Sequence, residues 1–272
     1  MEKYSVLMSV YYKEDPGFLG SAMDSMLRQT VPPDEFVLVC DGPLTESLDA
    51  VIKVKQEAYP DVVRTVRLSE NGGLGKALNK GLKECRNSLV ARMDSDDLSR
   101  PDRCEKQLRY FEKHPEISIL GGAIAEFQSD PSVTYAVRTV PQEHEEIVNF
   151  SKSRNPFNHM TVMYRREHIL DAGSYQHFPY LEDYYLWIRV FMKGYRGHNL
   201  QDVLVDARVG NGMINRRSGL AYADTQKKLF SYMLKKGDIS RAQYLKSVTG
   251  RTVMAVAPGF IKEFVYEKIL RK

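Results

Sequence analysis

The chain has 272 residues, 43% of them hydrophobic and 27% charged, with a net charge of +4, the balance of an ordinary soluble globular protein of one or two domains. No apolar run reaches the roughly 18 residues that a membrane span requires, and Met1-Glu2-Lys3-Tyr4 leads into the first apolar run without signal-peptide architecture, so a cytoplasmic location is expected. Three cysteines, Cys40, Cys85 and Cys104, odd in number and without CxxC spacing, argue against a disulfide framework or a zinc site.

Ser5 to Tyr12 (SVLMSVYY) is an apolar, β-branched run that predicts a buried parallel strand. Asp15-Pro16 supplies an N-cap and a first-turn proline, and Leu19, Ala22, Met23, Met26 and Leu27 then fall on one helix face. Phe36 to Val39 is a second strand, ending at the turn Cys40-Asp41-Gly42-Pro43. Leu48, Val51 and Ile52 mark a second helix, and Val62 to Leu68 a third strand. Asn71-Gly72-Gly73 is a loop before a helix from about Leu74 to Cys85, and Ser88 to Met93 is a fourth strand. This alternation predicts a parallel sheet with crossover helices. Such sheets bind ligands beyond the carboxyl ends of their strands. Tyr11, Asp41, Asn71 and Asp94 are therefore expected to share one crevice.

After a helix from Pro101 to His114 the pattern changes. Ile117 to Phe127, Thr134 to Val137 and His159 to Tyr164 read as strands of a mixed region, interrupted by the polar segment Pro141 to Phe157. Glu182 to Met192 is a helix that is apolar nearly all round, hence buried. Beyond Val209 the chain turns helical and basic: Gly210 to Lys272 carries 13 Lys and Arg against 4 Asp and Glu, leaving 26 against 31 in the rest. An anionic membrane leaflet suits such a tail at about 1 kcal/mol per basic residue close to it. A nucleic-acid motif is lacking.

The acidic stretch Asp94-Ser95-Asp96-Asp97 closes the fourth strand. Strand alternation would turn Asp94 and Asp96 to one side and Asp97 to the other. Converging carboxylates repel unless a cation sits between them. They lie too far upstream to cap the next helix, where Asp102 is better placed for the dipole. Few, hard oxygen ligands suit Mg²⁺ or Mn²⁺ bridging a substrate diphosphate, with Asp97 in a supporting position. The glycine loop Glu70 to Ala77 (ENGGLGKA) fails as a Walker A motif at Glu70 and Ala77, and as a dinucleotide fingerprint at Leu78. It is either a tight turn or a set of backbone N–H groups along a nucleotide's path. Glu182-Asp183 opens the buried helix, where the dipole favours ionised acids and an ionised Asp183 is the state in which a general base waits. His159, in Asn155-Pro156-Phe157-Asn158-His159, is a structural hydrogen bonder or a member of the site.

These segments together resemble the family 2 glycosyltransferases, inverting enzymes of the GT-A fold that use nucleotide-sugar donors. The resemblance rests on SVLMSVYY, Gln29-Thr30, FVLVCDG, NGGLGKALNKGL, ARMDSDDLSRPDRCEKQ, HMTVMYRR and LEDYYLW, in order, across Tyr4 to Val209. It is greatest to small bacterial enzymes that assemble capsule, exopolysaccharide or O-antigen repeat units. It implies an α/β GT-A domain over residues 1–209, with a nucleotide-sugar half (about 1–115) and an acceptor half (about 116–209), followed by a basic helical extension, 210–272. It further implies that Ser9 and Tyr11 border the nucleobase and Asp41 hydrogen-bonds it, with Asn71 in the same pocket. Asp94-Ser95-Asp96 is similar to the DxD motif, Asp94 near ribose and metal and Asp96 the main ligand of Mn²⁺ or Mg²⁺. Asp183, paired with Glu182, matches the catalytic base. Cys40 departs from the pattern, where many members carry an acid.

The donor implied is a UDP-sugar, and the acceptor a glycan hydroxyl, on a polyprenyl-diphosphate carrier if the tail seats the enzyme on the inner leaflet. In that tail Phe260, Ile261, Phe264 and Val265 form an apolar arc at about 100° per residue, interrupted by Lys268 and Arg271, whose stems can snorkel. The competing expectation is a helix packed on the enzyme's own core or on a homodimer partner. A sugar-phosphate nucleotidyltransferase is a rival that lacks its N-terminal phosphate loop here, since Ser9 to Glu14 reads SVYYKE. A catalytically silent binding subunit is another, and the intact Asp94, Asp96 and Asp183 argue against it.

Overall fold

Three strand–helix repeats build the first half of the sheet in a computed structural model that describes residues 1–210 and 219–256. They are β1 (Tyr4–Val10), α1 (Pro16–Leu27), β2 (Glu35–Cys40), α2 (Glu46–Ala58), β3 (Val63–Arg67) and α3 (Leu74–Glu84), followed by β4 (Leu89–Met93). Asp15 caps α1 as its position predicts, its carboxylate accepting the N–H groups of Gly17 and Phe18 at 2.8 and 3.0 Å. β1 pairs in parallel with β2 on one side and β4 on the other, and β2 with β3. The chain thus winds outward from β1 to β3 and then returns to β4 across β1. The carboxyl ends of β1 and β4 flank the point where the winding reverses, the place where an open α/β sheet forms its ligand crevice.

The second half continues the same sheet. It comprises β5 (Leu98–Ser99), α4 (Arg103–Lys113), β6 (Ile117–Phe127), β7 (Ala136–Arg138), α5 (His144–Ser151), a 3-10 turn (His159–Thr161), β8 (Met163–Arg165), α6 (Arg166–Asp171), α7 (Glu182–Met192) and β9 (Arg196–Arg208). The strand order is β3-β2-β1-β4-β8-β6-β9-β5, with β7 paired to β6. β8 is antiparallel to both neighbours and β9 is parallel to β6. β1, β2, β3, β4, β6 and β9 therefore run one way, and the sheet is mostly parallel.

Strand alternation divides the core. Val6, Met8 and Val10 of β1, with Leu89, Ala91 and Met93 of β4, meet α1, α2 and α4. Leu7 of β1, Val37 and Val39 of β2 and Val90 of β4 meet α3, α6 and α7, where Trp187 is fully buried. Arg92 has the parity of Val90 and so projects toward the second layer, under α7. A third cluster joins Leu181, Tyr184 and Ile188 to Leu229, Phe230, Met233 and Ile239 of the C-terminal hairpin, α8 (Leu220–Lys235) and α9 (Arg241–Val256). Burial of each such side chain stabilises by roughly 1.5–3 kcal/mol, which is why these helices lie on α7. Arg251 of α9 also donates to the Ser153 carbonyl.

Several expected elements differ. β1 ends at Val10, because residues 11–14 turn, with the Glu14 N–H donating to Tyr11 O at 3.1 Å. The expected strand from His159 is a 3-10 turn followed by the short β8, since Thr161 Oγ1 is engaged by Asn158 O and the Gly122 N–H. The polar segment 141–157 contains α5. The strand expected at 134–137 is β7, at Ala136–Arg138, and β9, which carries the longest pairing with β6, has no counterpart among the expected strands. The helix expected from Pro101 starts at Arg103, and Asp102 makes no capping bond but pairs with Lys106 at 2.9 Å. The Gln29-Thr30 turn is structural: buried Gln29 donates to Ser25 O and Arg100 O and accepts the Cys104 N–H, tying α1 to α4. The apolar arc at 260–265 lies outside the described residues. Among those described, no helix is long and apolar enough to cross a membrane.

Candidate active site

At the end of β4 the chain leaves the strand at Asp94 and bends over residues 95–97. Side-chain alternation therefore does not apply there, and tertiary partners aim each acid. Asp94 is gripped by the fully buried Arg92, whose two terminal nitrogens donate to the two carboxylate oxygens. The charge of Asp94, expected to need a cation, already has one. Asp97 is buried and accepts the Arg208 N–H at 2.7 Å, which fixes the end of β9 beneath the site. Burial and the charges of Asp94 and Asp96 nevertheless hold Asp97 well above the usual carboxylate range, and Asp96 is raised with it. Burial first, then the charges of Asp94 and Glu14, push its pKa up to about 7. Glu14 reaches this stretch by accepting from Ser95 Oγ, so the turn after β1 and the bend after β4 are bridged.

Asp41, at the end of β2, is buried and accepts the N–H groups of Gly72 and Gly73 at 2.8 and 2.9 Å. The glycine loop thus spends two backbone donors on Asp41 rather than presenting them to a phosphate. Asn71 Nδ2 donates to Asp41 O at 3.2 Å. Gly42 lets the two loops touch: its φ is +87°, and a Cβ there would stand 2.7 Å from Asn71 N. Ser9 sits in β1 opposite Val39. Tyr11 lies one residue past the strand, 37% exposed, its ring edge-on to Tyr12 at 5.8 Å.

The opposite wall is the N-terminus of α7. Asp183 Oδ1 accepts the Tyr184 N–H at 2.7 Å, and Oδ2 accepts from Asn155 Nδ2. Glu182 is pushed up to about 7, by burial first and by the neighbouring Asp183 charge, so burial outweighs the helix N-terminus at this position. Glu182 also touches the glycine-loop side: a Cβ at Gly75, in the first turn of α3, would stand 2.8 Å from Glu182 Cγ and 2.6 Å from Gln176 O. Only a residue without a side chain allows α3 and α7 to approach this closely. The Asn155–His159 loop is held by Asn199, whose amide donates to Pro141 O and Pro156 O, and by Asn158, which donates to Gly122 O.

The sequence positions thus form three connected groups: Asp41 with Asn71 and the glycine loop, Asp94 with Asp96, and Glu182 with Asp183. Arg92, Glu14 and Asn155 also belong here and were not singled out by motif. An arginine in an apolar strand two residues before an aspartate is the signal that could have found Arg92, because a buried guanidinium requires an anion. The three cysteines are buried, and burial raises their thiol pKa values, to about 11 for Cys40 and about 12 for Cys85, which makes them poor nucleophiles.

Among the described residues no three His, Cys, Asp or Glu side chains converge into a metal cage. The donor set fits Mg²⁺ or Mn²⁺ nevertheless, since these ions take one or two carboxylates and complete their shell with water and substrate phosphates. Asp96, its carboxyl raised by burial and neighbouring charge, is the group whose ionised form such an ion would favour.

Residues 5–173 match the model of glycosyl transferase family 2. Over 268 residues, 97% of this chain and 98% of the relative, the sequence is 41% identical to the amylovoran biosynthesis glycosyltransferase AmsE of Erwinia amylovora. It is 34% identical over 270 residues, 99% of this chain and 97% of the relative, to the UDP-Gal:alpha-D-GlcNAc-diphosphoundecaprenol beta-1,3-galactosyltransferase of Escherichia coli. The fold is similar, at a TM-score of 0.67 and 18% identity, to the mannosyltransferase PcManGT from Pyrobaculum calidifontis, solved with GDP-Man and Mn²⁺. That match covers 94% of this chain and 70% of the other.

Proposed function

The chain belongs to glycosyl transferase family 2, and from that premise we propose that it is a metal-dependent, inverting glycosyltransferase acting between the two walls just described. The donor is a nucleotide sugar, a UDP-sugar by analogy with the Escherichia coli relative, and the acceptor is a hydroxyl of a diphosphate-lipid-linked glycan in surface polysaccharide synthesis. The observation that carries this reading is the Gly75–Glu182 contact. It brings Glu182 at the head of α7 against the start of α3, which follows the glycine loop held by Asp41, and supporting it is Arg92, which grips Asp94 and whose charge is also felt by Asp183.

Asp41, already fixed by two backbone N–H groups, keeps further lone pairs for a nucleobase N–H, with Ser9, Tyr11 and Asn71 around it. Both oxygens of Asp94 are oriented by Arg92, which suits a positioning contact to the ribose. Asp96, assisted by Asp94, would hold Mg²⁺ or Mn²⁺. Bound there, the ion neutralises the departing diphosphate. Asp183, held by Asn155 and the Tyr184 N–H, takes the proton of the acceptor hydroxyl. As it does, the acceptor oxygen bonds to C1 and the C1–O bond to the diphosphate breaks on the opposite face, so configuration inverts. Glu182 neighbours the base and modulates its charge.

The basic C-terminal region offers a surface for an anionic leaflet, where a lipid-linked acceptor lies. Deleting residues 257–272 and finding vesicle binding unchanged would remove the membrane part of the reading.

The central test is a thermal-shift screen of nucleotide sugars with and without Mn²⁺. A metal-dependent rise in melting temperature with one nucleotide sugar, abolished in Asp96→Ala, is expected. No response to any nucleotide would sink the proposal.

A further inference from the structure

His159 takes no part in the reaction as derived, yet its ring is held in one place. Its Nε2 lies 3.0 Å from Tyr175 Oη, its Nδ1 4.0 Å from Asp183 Oδ2, and only 11% of the side chain is exposed. Trp187 of α7 stands edge-on to the ring at 6.0 Å. The charged and titratable groups around it are Arg92 from β4, Tyr175 from the loop before α7 and Asp183 from α7, with Glu182 and Tyr184 beside Asp183.

A neutral imidazole has one N–H and one lone pair. Burial, and then the charge of Arg92, hold His159 well below the usual histidine range, so the ring is neutral. Tyr175 is fully buried and its phenol is raised by that burial, so the hydroxyl keeps its proton. Two tautomers are then available. If Tyr175 donates to Nε2, the N–H sits on Nδ1 and faces the Asp183 carboxylate. The reverse tautomer would set a lone pair against a carboxylate oxygen, which is repulsive. The first is therefore favoured, and 4.0 Å is a gap that a shift of about 1 Å would close on substrate binding, as catalytic hydrogen bonds often tighten.

We propose that His159, locked by Tyr175 with its proton on Nδ1, is a positioning residue for the base: together with Asn155 it orients Asp183 Oδ2 and stabilises the ionised carboxylate. This rests on the assignment of Asp183 as base. An N–H aimed at a carboxylate favours its charged form, so removing it should both misplace the base and raise its pKa.

The experiment measures kcat against pH at saturating Mn²⁺ and donor, with the nucleotide sugar identified by the thermal-shift screen and an N-acetylglucosaminyl diphospholipid as acceptor probe. The variants are His159→Asn, His159→Gln, His159→Ala, Tyr175→Phe and the Tyr175→Phe/His159→Ala double. An asparagine amide reaches the place of Nδ1, and a glutamine amide the place of Nε2. We expect His159→Ala to lose up to about a hundredfold in kcat, with little change in donor KM and the acidic limb moved to higher pH. His159→Asn should recover more activity than His159→Gln, and the double variant should lose no more than His159→Ala, because both changes act through one path.

Full activity in His159→Gln, an unmoved acidic limb, or additive losses would overturn the proposal. Nucleotide-induced stabilisation of each variant verifies folding. Should the His159 variants unfold, Tyr175→Phe alone decides, since it must move the limb in the same direction. Absence of transfer by the wild-type protein would instead count against the function proposed above.

Discussion

Arg92 and Asp94 form a bidentate ion pair across two residues of chain, with the guanidinium fully buried beneath the site and the carboxylate at its floor. The pair faces both walls, because the charge of Arg92 is also felt by Asp183 and by His159. Removing Asp94 leaves the fully buried guanidinium alone, which costs about 3–5 kcal/mol, and removing Arg92 costs at most the low end of that range because the Asp94 carboxylate is 30% exposed. Arg92→Met should therefore destabilise by about 3 kcal/mol in urea unfolding. In a cycle with Asp94→Asn, the double variant should be more stable than the sum of the single losses predicts. Simple additivity would show that the pair is not coupled.

Asp96 has the opposite character. Its carboxyl pKa is raised, so the folded metal-free protein binds more protons than the unfolded chain between about 4 and about 7. Stability should therefore fall as pH rises through that window, and the cost is fully present above it. Asp96→Asn should stabilise the metal-free protein at pH 8 by roughly 1–3 kcal/mol and change little at pH 4. Calorimetry in chelator at the two pH values checks this. Added Mn²⁺ with nucleotide should stabilise the wild type and not the variant. A variant less stable at pH 8 would contradict the assigned charge balance.

The base is tested by separating binding from transfer. Asp183→Asn should keep nucleotide-dependent stabilisation and lose about 10²–10⁴-fold in kcat. Asn155→Ala removes one donor to Oδ2 and should cost about tenfold, with donor KM little changed. Transfer surviving in Asp183→Asn would mean that another group accepts the proton.

Gly75 should tolerate no side chain. Its Cβ would meet Gln176 O, a backbone atom, at 2.6 Å and Glu182 Cγ at 2.8 Å, so Gly75→Ala must part α3 from α7. A loss of about 1–3 kcal/mol is expected, with kcat falling more than nucleotide affinity because the base moves relative to the donor wall. Equilibrium unfolding and separate titration of nucleotide binding distinguish the two effects.

The first half of the fold was legible because its signals are local. Apolar β-branched runs, Asp15-Pro16 and the helix face from Leu19 to Leu27 each act within a few residues, and their alternation leaves few arrangements other than a parallel sheet. The second half was less so. β9 does not read as one apolar run, since its middle residues Leu200, Gln201 and Asp202 are half-buried or exposed, and its identity as a strand comes from long-range pairing with β6. His159 reads as the start of a strand, but the Thr161 N–H and Oγ1 both donate to the Asn158 carbonyl and the backbone turns there.

Sequence alone determined which residue types stand at the strand ends: Asp41 after β2, Asn71 after β3, Asp94 and Asp96 after β4, and the Glu182-Asp183 pair opening α7. Period and turn chemistry fix those positions without reference to distant parts of the chain. Tertiary structure decided what each acid is. Asp94 is neutralised by Arg92, Asp41 holds the glycine loop, and Asp96 and Asp97 are both raised by burial and neighbouring carboxylates, Asp97 while also accepting the Arg208 N–H. The physical reason is that a carboxylate's state depends on its burial and on the charges and donors within a few ångströms. Arg92 is a local neighbour of Asp94, but the others come from β9, the turn after β1 and the glycine loop, and no local pattern in the sequence brings those together.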